Sequence, residues 1–131
     1  MDVLELLLNA APAKLPEKDY KIKRLSKEYG GDVVFKLRAL PFSRVAEIRR
    51  VDAEDTAIHI VLAGVVSPDI RSQALLQKYG AATPAELLRD VQFLLPGEVD
   101  DLALRIEQLS GYKMTVTEEV KKNSGATGNT R

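Results

Sequence analysis

An α+β fold, mostly helical, is predicted for this 131-residue chain by three observations. Apolar residues recur at helical spacing over most of the stretch from Val45 to Leu109, whereas two short segments, near Tyr20 and from Val33, alternate with period two. Leucines crowd the first eight residues, ahead of an Ala/Pro-rich stretch. The expected architecture is a short N-terminal helix, a two-stranded antiparallel β-hairpin and then a bundle of about five helices. The expected division is an N-terminal helical arm and linker over 1–16, a single α+β domain over 17–122 and a disordered tail over 123–131.

The first helix holds Val3, Leu4, Leu6, Leu7 and Leu8, with Asp2 as its N-cap or first-turn acid. Residues 10–16 (AAPAKLP) stop it and read as an extended connector. A first strand is expected from about Tyr20 to Leu25, with Tyr20 and Ile22 alternating against Lys21 and Lys23. A second is expected from Val33 to Leu40, with Val33, Phe35, Leu37 and Ala39 on one face. Tyr29-Gly30-Gly31-Asp32 between them supplies the positive φ that a hairpin turn wants.

Pro41 and Ser43 end the second strand, and Val45, Ile48 and Val51 space a helix ending near Val51. Asp52, Glu54 and Asp55 precede Ala57, Ile58, Val61, Leu62, Val65 and Val66, which occupy more than one face of the helix expected to be most buried. Ser67-Pro68-Asp69 reads as the cap of a further helix ending at Tyr79, with Gly80 just beyond it. Thr83-Pro84-Ala85-Glu86 fits a capping box, followed by Leu87, Leu88, Val91, Leu94 and Leu95 at helical spacing until Pro96-Gly97. Glu98, Asp100 and Asp101 open a last long helix carrying Val99, Leu102, Ala103, Ile106 and Leu109, with Gly111 at its end. One more turn or two is expected over Thr115 to Val120. The final residues, Asn123 to Arg131, contain no large apolar side chain.

Composition narrows the chemistry. Nineteen Lys and Arg balance nineteen Asp and Glu, so the global positive field that non-specific nucleic-acid binding relies on is missing. There is no Cys, which excludes thiolate nucleophiles, disulfides and Cys-based zinc sites. With one His, no multi-His metal site forms within one chain. Apolar runs are too short to span a bilayer, and Asp2 and Glu5 make the start unlike a secretory signal. The expectation is a cytoplasmic protein with no membrane partner, and the near-zero charge is compatible with a homo-oligomer.

His59 lies four residues after Asp55, so a His–carboxylate pair on one helical face is geometrically possible. No nucleophile is placed beside it, and a packed or surface histidine is the plainer reading. Glu98, Asp100 and Asp101 suit a helix start better than a cation loop, which needs six to eight oxygen ligands. No catalytic, cofactor or metal residue is therefore assigned. The stretch from Leu75 to Val91 has the layout of a helix-turn-helix DNA reader, the alternative function considered. Its second helix sets Glu86 and Asp90 against Arg89 alone, and acids facing phosphates are repelled. The basic face of the expected hairpin (Lys21, Lys23, Arg24, Lys27, Lys36, Arg38) reads as a solvated strand face or a dock for an acidic or helical partner.

Several strings in order carry a more specific reading. They are the Leu-rich start from Val3 to Asn9, Lys23-Arg24-Leu25-Ser26, Phe35-Lys36-Leu37-Arg38-Ala39-Leu40 and Gly64-Val65-Val66-Ser67-Pro68-Asp69. Lys78-Tyr79-Gly80 leading into Thr83-Pro84, Leu95-Pro96-Gly97-Glu98, Leu109-Ser110-Gly111-Tyr112 and Glu118-Glu119-Val120-Lys121-Lys122-Asn123 follow. In this order, from about residue 3 to 123, the chain resembles the XkdN-like phage tail assembly chaperones. The resemblance implies a non-enzymatic assembly factor of the bacterial host cytoplasm. It would hold the tape-measure protein soluble and help tail tube subunits polymerise around it. In related tail-chaperone families a ribosomal frameshift appends a second domain to a fraction of the product, and Lys121-Lys122-Asn123 is compatible with an A-rich slippery stretch at that point. A tape-measure protein is a long helical chain with apolar stripes, and capturing it takes an apolar helical surface. The residues expected to form that surface are Leu4, Leu7 and Leu8 in the arm, with Leu88, Val91, Leu102 and Ile106 on the later helices.

Overall fold

The computed structural model describes residues 2–51 and 53–121. Along the chain run α1 (Val3–Asn9), β1 (Glu17–Lys21), α2 (Lys23–Tyr29), β2 (Val34–Arg38), α3 (Phe42–Val51), α4 (Thr56–Gly64), β3 (Val65–Ser67), α5 (Gln73–Tyr79), α6 (Pro84–Arg89) and α7 (Pro96–Leu109). The fold is α+β and mostly helical, as the patterning predicts. The sheet, however, has three strands rather than two. Their order is β1-β2-β3, both neighbours run antiparallel to β2, and Tyr20 stands opposite Phe35.

Why β2 is central follows from its alternation. Phe35, Leu37 and Ala39 are buried on the face covered by helices, while Lys36 and Arg38 point the other way. The third strand overturns part of the sequence reading. Val65 and Val66 were expected to continue α4; they leave it and pair with β2, Val65 opposite Leu37 and Ser67 opposite Lys36, across an irregularity in register. Two β-branched residues after a glycine favour the extended form, and the open edge of β2 supplies its hydrogen bonds.

The connection between β1 and β2 is also corrected. It is a helix, not a hairpin turn: the segment read as the end of a strand coils into α2 from Lys23. Leu25 is its one buried residue, and a single apolar anchor in seven residues leaves no period to read. Gly30 serves as the left-handed C-cap of α2, at φ 70°. The turn is then closed by Ile22 N–H donating to the Val33 carbonyl at 2.9 Å and by Val33 N–H donating to Ser26 Oγ at 2.8 Å.

Three further boundaries move. The cap of α5 is Ser72, whose Oγ accepts from Leu75 N–H at 3.3 Å; Pro68 lies in the turn after β3. Helix α6 stops at Arg89 instead of running to Leu95, because the chain turns inward to bury Phe93 and Leu94. Phe93 packs on the Tyr79 ring at 5.0 Å and on Phe35 at 6.5 Å between centroids. Residues 115–121 form no helical turn. The predicted Gly80 and Thr83 caps are present: Gly80 has φ 70°, and Thr83 Oγ1 accepts from Glu86 N–H at 3.1 Å. Residues 122–131, on which the predicted tail and most of the frameshift string fall, lie outside the described residues.

Helix α7 is the spine. Val99, Leu102, Ala103 and Ile106 face α4 and β2 and are all buried. Gly64 permits the closest approach, since a Cβ there would stand 2.6–2.9 Å from three carbons of Ile106. Glu107 on the same helix is buried and meets Lys113 at 2.9 Å and Arg49 at 3.3 Å, which fastens the end of α3 and the chain beyond α7 to the spine. Ser110 ties β2 in as well: its Oγ donates to the Ile106 carbonyl at 2.7 Å and accepts from Leu40 N–H at 2.9 Å.

Candidate partner-binding surface

Helix α1 carries apolar side chains that the domain does not bury. Asp2 and Glu5 close a capping box at its start, each side chain accepting from a backbone N–H at 3.4 Å. None of its residues is buried, and Leu7 and Leu8 are 71% and 72% exposed. Residues 10–16 are exposed and carry no regular structure before the Pro16 carbonyl accepts from Ala39 N–H at 2.9 Å. A seven-residue helix gains little from its own hydrogen bonds in water, and packing within the domain does not cover its leucine face.

The other predicted partner-binding residues sit differently. Leu88, Leu102 and Ile106 are core side chains at 4%, 2% and 0% exposure, and Val91 is half-buried. They pack α6 and α7 against α4 and the sheet, so they are not at the surface with Leu4, Leu7 and Leu8. Helical period marks a face but not what covers it, which is why spacing alone joined the two sets.

Beside α6 and α7 lies a groove of about 660 Å³. The start of α4 gives it Ile58, the segment after α6 gives Leu94 and Leu95, and α7 gives Val99. Leu95 is half-exposed at the lip. The rim is charged. Arg24 donates from Nε and Nη2 to the two carboxylate oxygens of Glu98, each at 2.9 Å, and from Nη2 to the Phe93 carbonyl at 3.1 Å. Arg89 meets Asp55 at 2.8 Å and Asp90 at 3.2 Å. Helical spacing placed Leu88, Val91, Leu94 and Val99 on apolar stripes but gave no sign of the α4 wall and the acidic rim, which come together only when α6 ends early.

The bidentate bond from Arg24 holds the Glu98 carboxyl below the usual carboxylate range against the opposing effect of burial, and Leu95 N–H, donating at 2.7 Å, lowers it further. A carboxyl depressed in the folded chain adds stability that is complete above the unfolded glutamate range and is lost as pH falls through the folded value. Glu98→Gln is therefore expected to melt at a lower temperature than the parent at pH 7. The gap should close as pH drops below the ordinary glutamate range, read by thermal denaturation from pH 7 to 2.5; a gap that is constant with pH would contradict it.

The basic face expected on a hairpin is dispersed. Lys23, Arg24 and Lys27 belong to α2, Lys21 faces Asp32 at 3.6 Å, and Lys36 faces Asp19 at 4.0 Å. Helix α6, the would-be DNA reader, is six residues long and turns Leu87 and Leu88 into the core, while its one arginine is engaged by Asp55 and Asp90. His59 is half-buried on α4, and the Asp55 carboxylate is held by Arg89. Among the described residues no group of three or more His, Asp or Glu is placed to hold a metal ion, and no helix is long and apolar enough to cross a membrane.

A three-stranded sheet backed by a helical spine, with apolar side chains left uncovered on α1, defines a small α+β module. The sequence pattern described as phage XkdN-like tail assembly chaperone protein matches residues 4–122, and the chain belongs to that family. Among solved structures it is similar to the crystal structure of the protein yqbn, with 18% identity and a TM-score of 0.67 over 86% of this chain and 99% of that one. At that identity the likeness speaks to fold alone. No curated protein is similar enough to count as a match.

Proposed function

We propose that this protein is a non-enzymatic chaperone that binds the tape-measure protein in the host cytoplasm and releases it to the growing tail tube. Family membership over residues 4–122 supports a tail assembly role. The observation that carries the binding reading is the leucine face of α1, which the domain leaves open. Leu4, Leu7 and Leu8 are the proposed anchors, 1–16 is the proposed arm, and 17–122 is the proposed folded body. A holdase has to cover helical apolar stripes without forming a permanent complex, and a few leucines on a short segment give contacts of that strength.

Leu7→Asp tests this by co-expression with the neighbouring large helical reading frame. Leu7 contributes nothing to the core, so the variant's melting curve should match the parent's within the spread of a surface change. Loss of an interface anchor costs about 2 kcal/mol, roughly thirtyfold in Kd. Co-purification of the tape-measure protein should fall accordingly. A folded Leu7→Asp protein that retains its partner in full would remove the arm from the account.

A further inference from the structure

We propose that the groove beside α6 and α7 is a second docking site, built for an amphipathic helix of a partner protein whose apolar stripe is flanked by Lys or Arg. The proposal rests on the chaperone reading above and adds to it the chemistry of the bound segment. Its first support is shape and lining. Leu88, Leu94 and Val99 form a buried floor, and Leu95 stands half-exposed at the lip where it can close over a guest side chain. Side chains of a helix laid in such a groove meet it at every third or fourth residue.

The second support is charge. The lining includes five carboxylates, those of Glu28, Glu54, Asp55, Asp90 and Asp100, against the guanidiniums of Arg24 and Arg89. Both guanidiniums are already spent: Arg24 on Glu98 and Glu28, Arg89 on Asp55 and Asp90. Glu54 and Asp100 have no ion-pair partner among the described residues and are exposed on the rim. The field over an apolar floor is thus negative, and a helix with basic flanks is attracted while one with acidic flanks is repelled.

The same field rules against occupants from this chain. The α1 arm of a second copy would bring Asp2 and Glu5 with no base from residue 1 to 13. The residues from 123 to 131 (NSGATGNTR) have no large apolar side chain to fill the floor. An outside helix with a basic rim satisfies both requirements.

Two designed 18-residue helical peptides, about five turns each, give the test. They share one leucine stripe and carry either Lys or Glu on both flanks; a third keeps the lysines and lacks the stripe. Anisotropy titrations against the intact protein should show the Lys-flanked leucine peptide binding about tenfold or more tighter than either control, and weakening with salt. Glu54→Lys/Asp100→Lys, both exposed positions near helix N-termini, should cost no more than a few degrees in Tm and abolish the preference between the two leucine peptides. Leu95→Asp should abolish binding of both. Equal binding of all three peptides, or a charge-reversed double variant with unchanged preference, overturns the proposal.

Co-expression with the tape-measure protein separates the two readings. If the parent protein keeps the tape-measure protein soluble and Glu54→Lys/Asp100→Lys does so equally well, the groove proposal fails and the chaperone reading stands. If the parent gives no solubilisation, the chaperone reading fails, while the peptide titrations still decide what the groove accepts.

Discussion

Leu102→Asp is expected to unfold the domain. Leu102 is 2% exposed in the middle of α7, among the side chains that join this helix to α4 and β2. An aspartate there loses the transfer free energy of a buried leucine, about 2–3 kcal/mol, and then either buries a charge or takes up a proton at further cost. The total is several kcal/mol, against about 5–15 kcal/mol of stability for a domain of this kind. The measurement is the soluble fraction and the far-UV spectrum at 37 °C, with Leu7→Asp as the paired control. The same leucine-to-aspartate exchange is destructive on α7 and silent for folding on α1. If Leu102→Asp folds normally, the described packing of α7 is wrong.

Gly64→Ala is the second large effect, and its sign is the informative part. Near the end of a helix, replacing glycine by alanine ordinarily gains about 0.5–1 kcal/mol. Here the added methyl would stand 2.6, 2.8 and 2.9 Å from Cδ1, Cγ2 and Cγ1 of Ile106, closer than carbons pack. Ile106 is fully buried, so its side chain has no free space to turn into. Overpacking of this sort costs about 1–3 kcal/mol and outweighs the propensity gain. At roughly 4 °C per kcal/mol for a chain of this length, Tm should fall by several degrees. In an Ile106→Ala background the same Gly64→Ala change should be neutral or stabilising, because the three clashing carbons are gone. A double-mutant cycle on thermal or urea denaturation checks this, and additive effects would contradict the contact.

These two residues also show what was legible in the amino-acid sequence. The α7 stripe of Val99, Leu102, Ala103 and Ile106 could be read because fourteen residues give a helical period room to repeat. The alternation from Val33 to Ala39 was legible for the same reason. Capping chemistry is local, so Asp2, Thr83 and Gly80 could be placed without knowing the fold. What escaped was short or non-local. Helix α2 buries one side chain and β3 has three residues, and each owes its form to a neighbour, the core above Leu25 or the free edge of β2. Phe93 was missed because it leaves the helical register, and nothing in its own neighbourhood says that Tyr79 and Phe35 await it.

The candidate surface divides in the same way. Leu4, Leu7 and Leu8 could be picked out because a crowded leucine segment before a Pro-rich stretch has little of its own to pack against. The groove could not, since Glu54, Leu95 and Asp100 meet only after the chain has turned at Arg89.

The stretch from Ala10 to Pro16 has a kinetic consequence. Fully extended, seven residues reach about 23 Å, so under the proposed two-site binding an arm that has lost its hold is kept within that radius of a guest still seated in the groove. For short flexible tethers such confinement amounts to an effective concentration in the millimolar range, and the avidity of two joined contacts exceeds either one by about 10² to 10⁴. Retention is then steep in the number of feet on the ground. On that proposal, a competitor that dislodges one foot forfeits the whole multiplier.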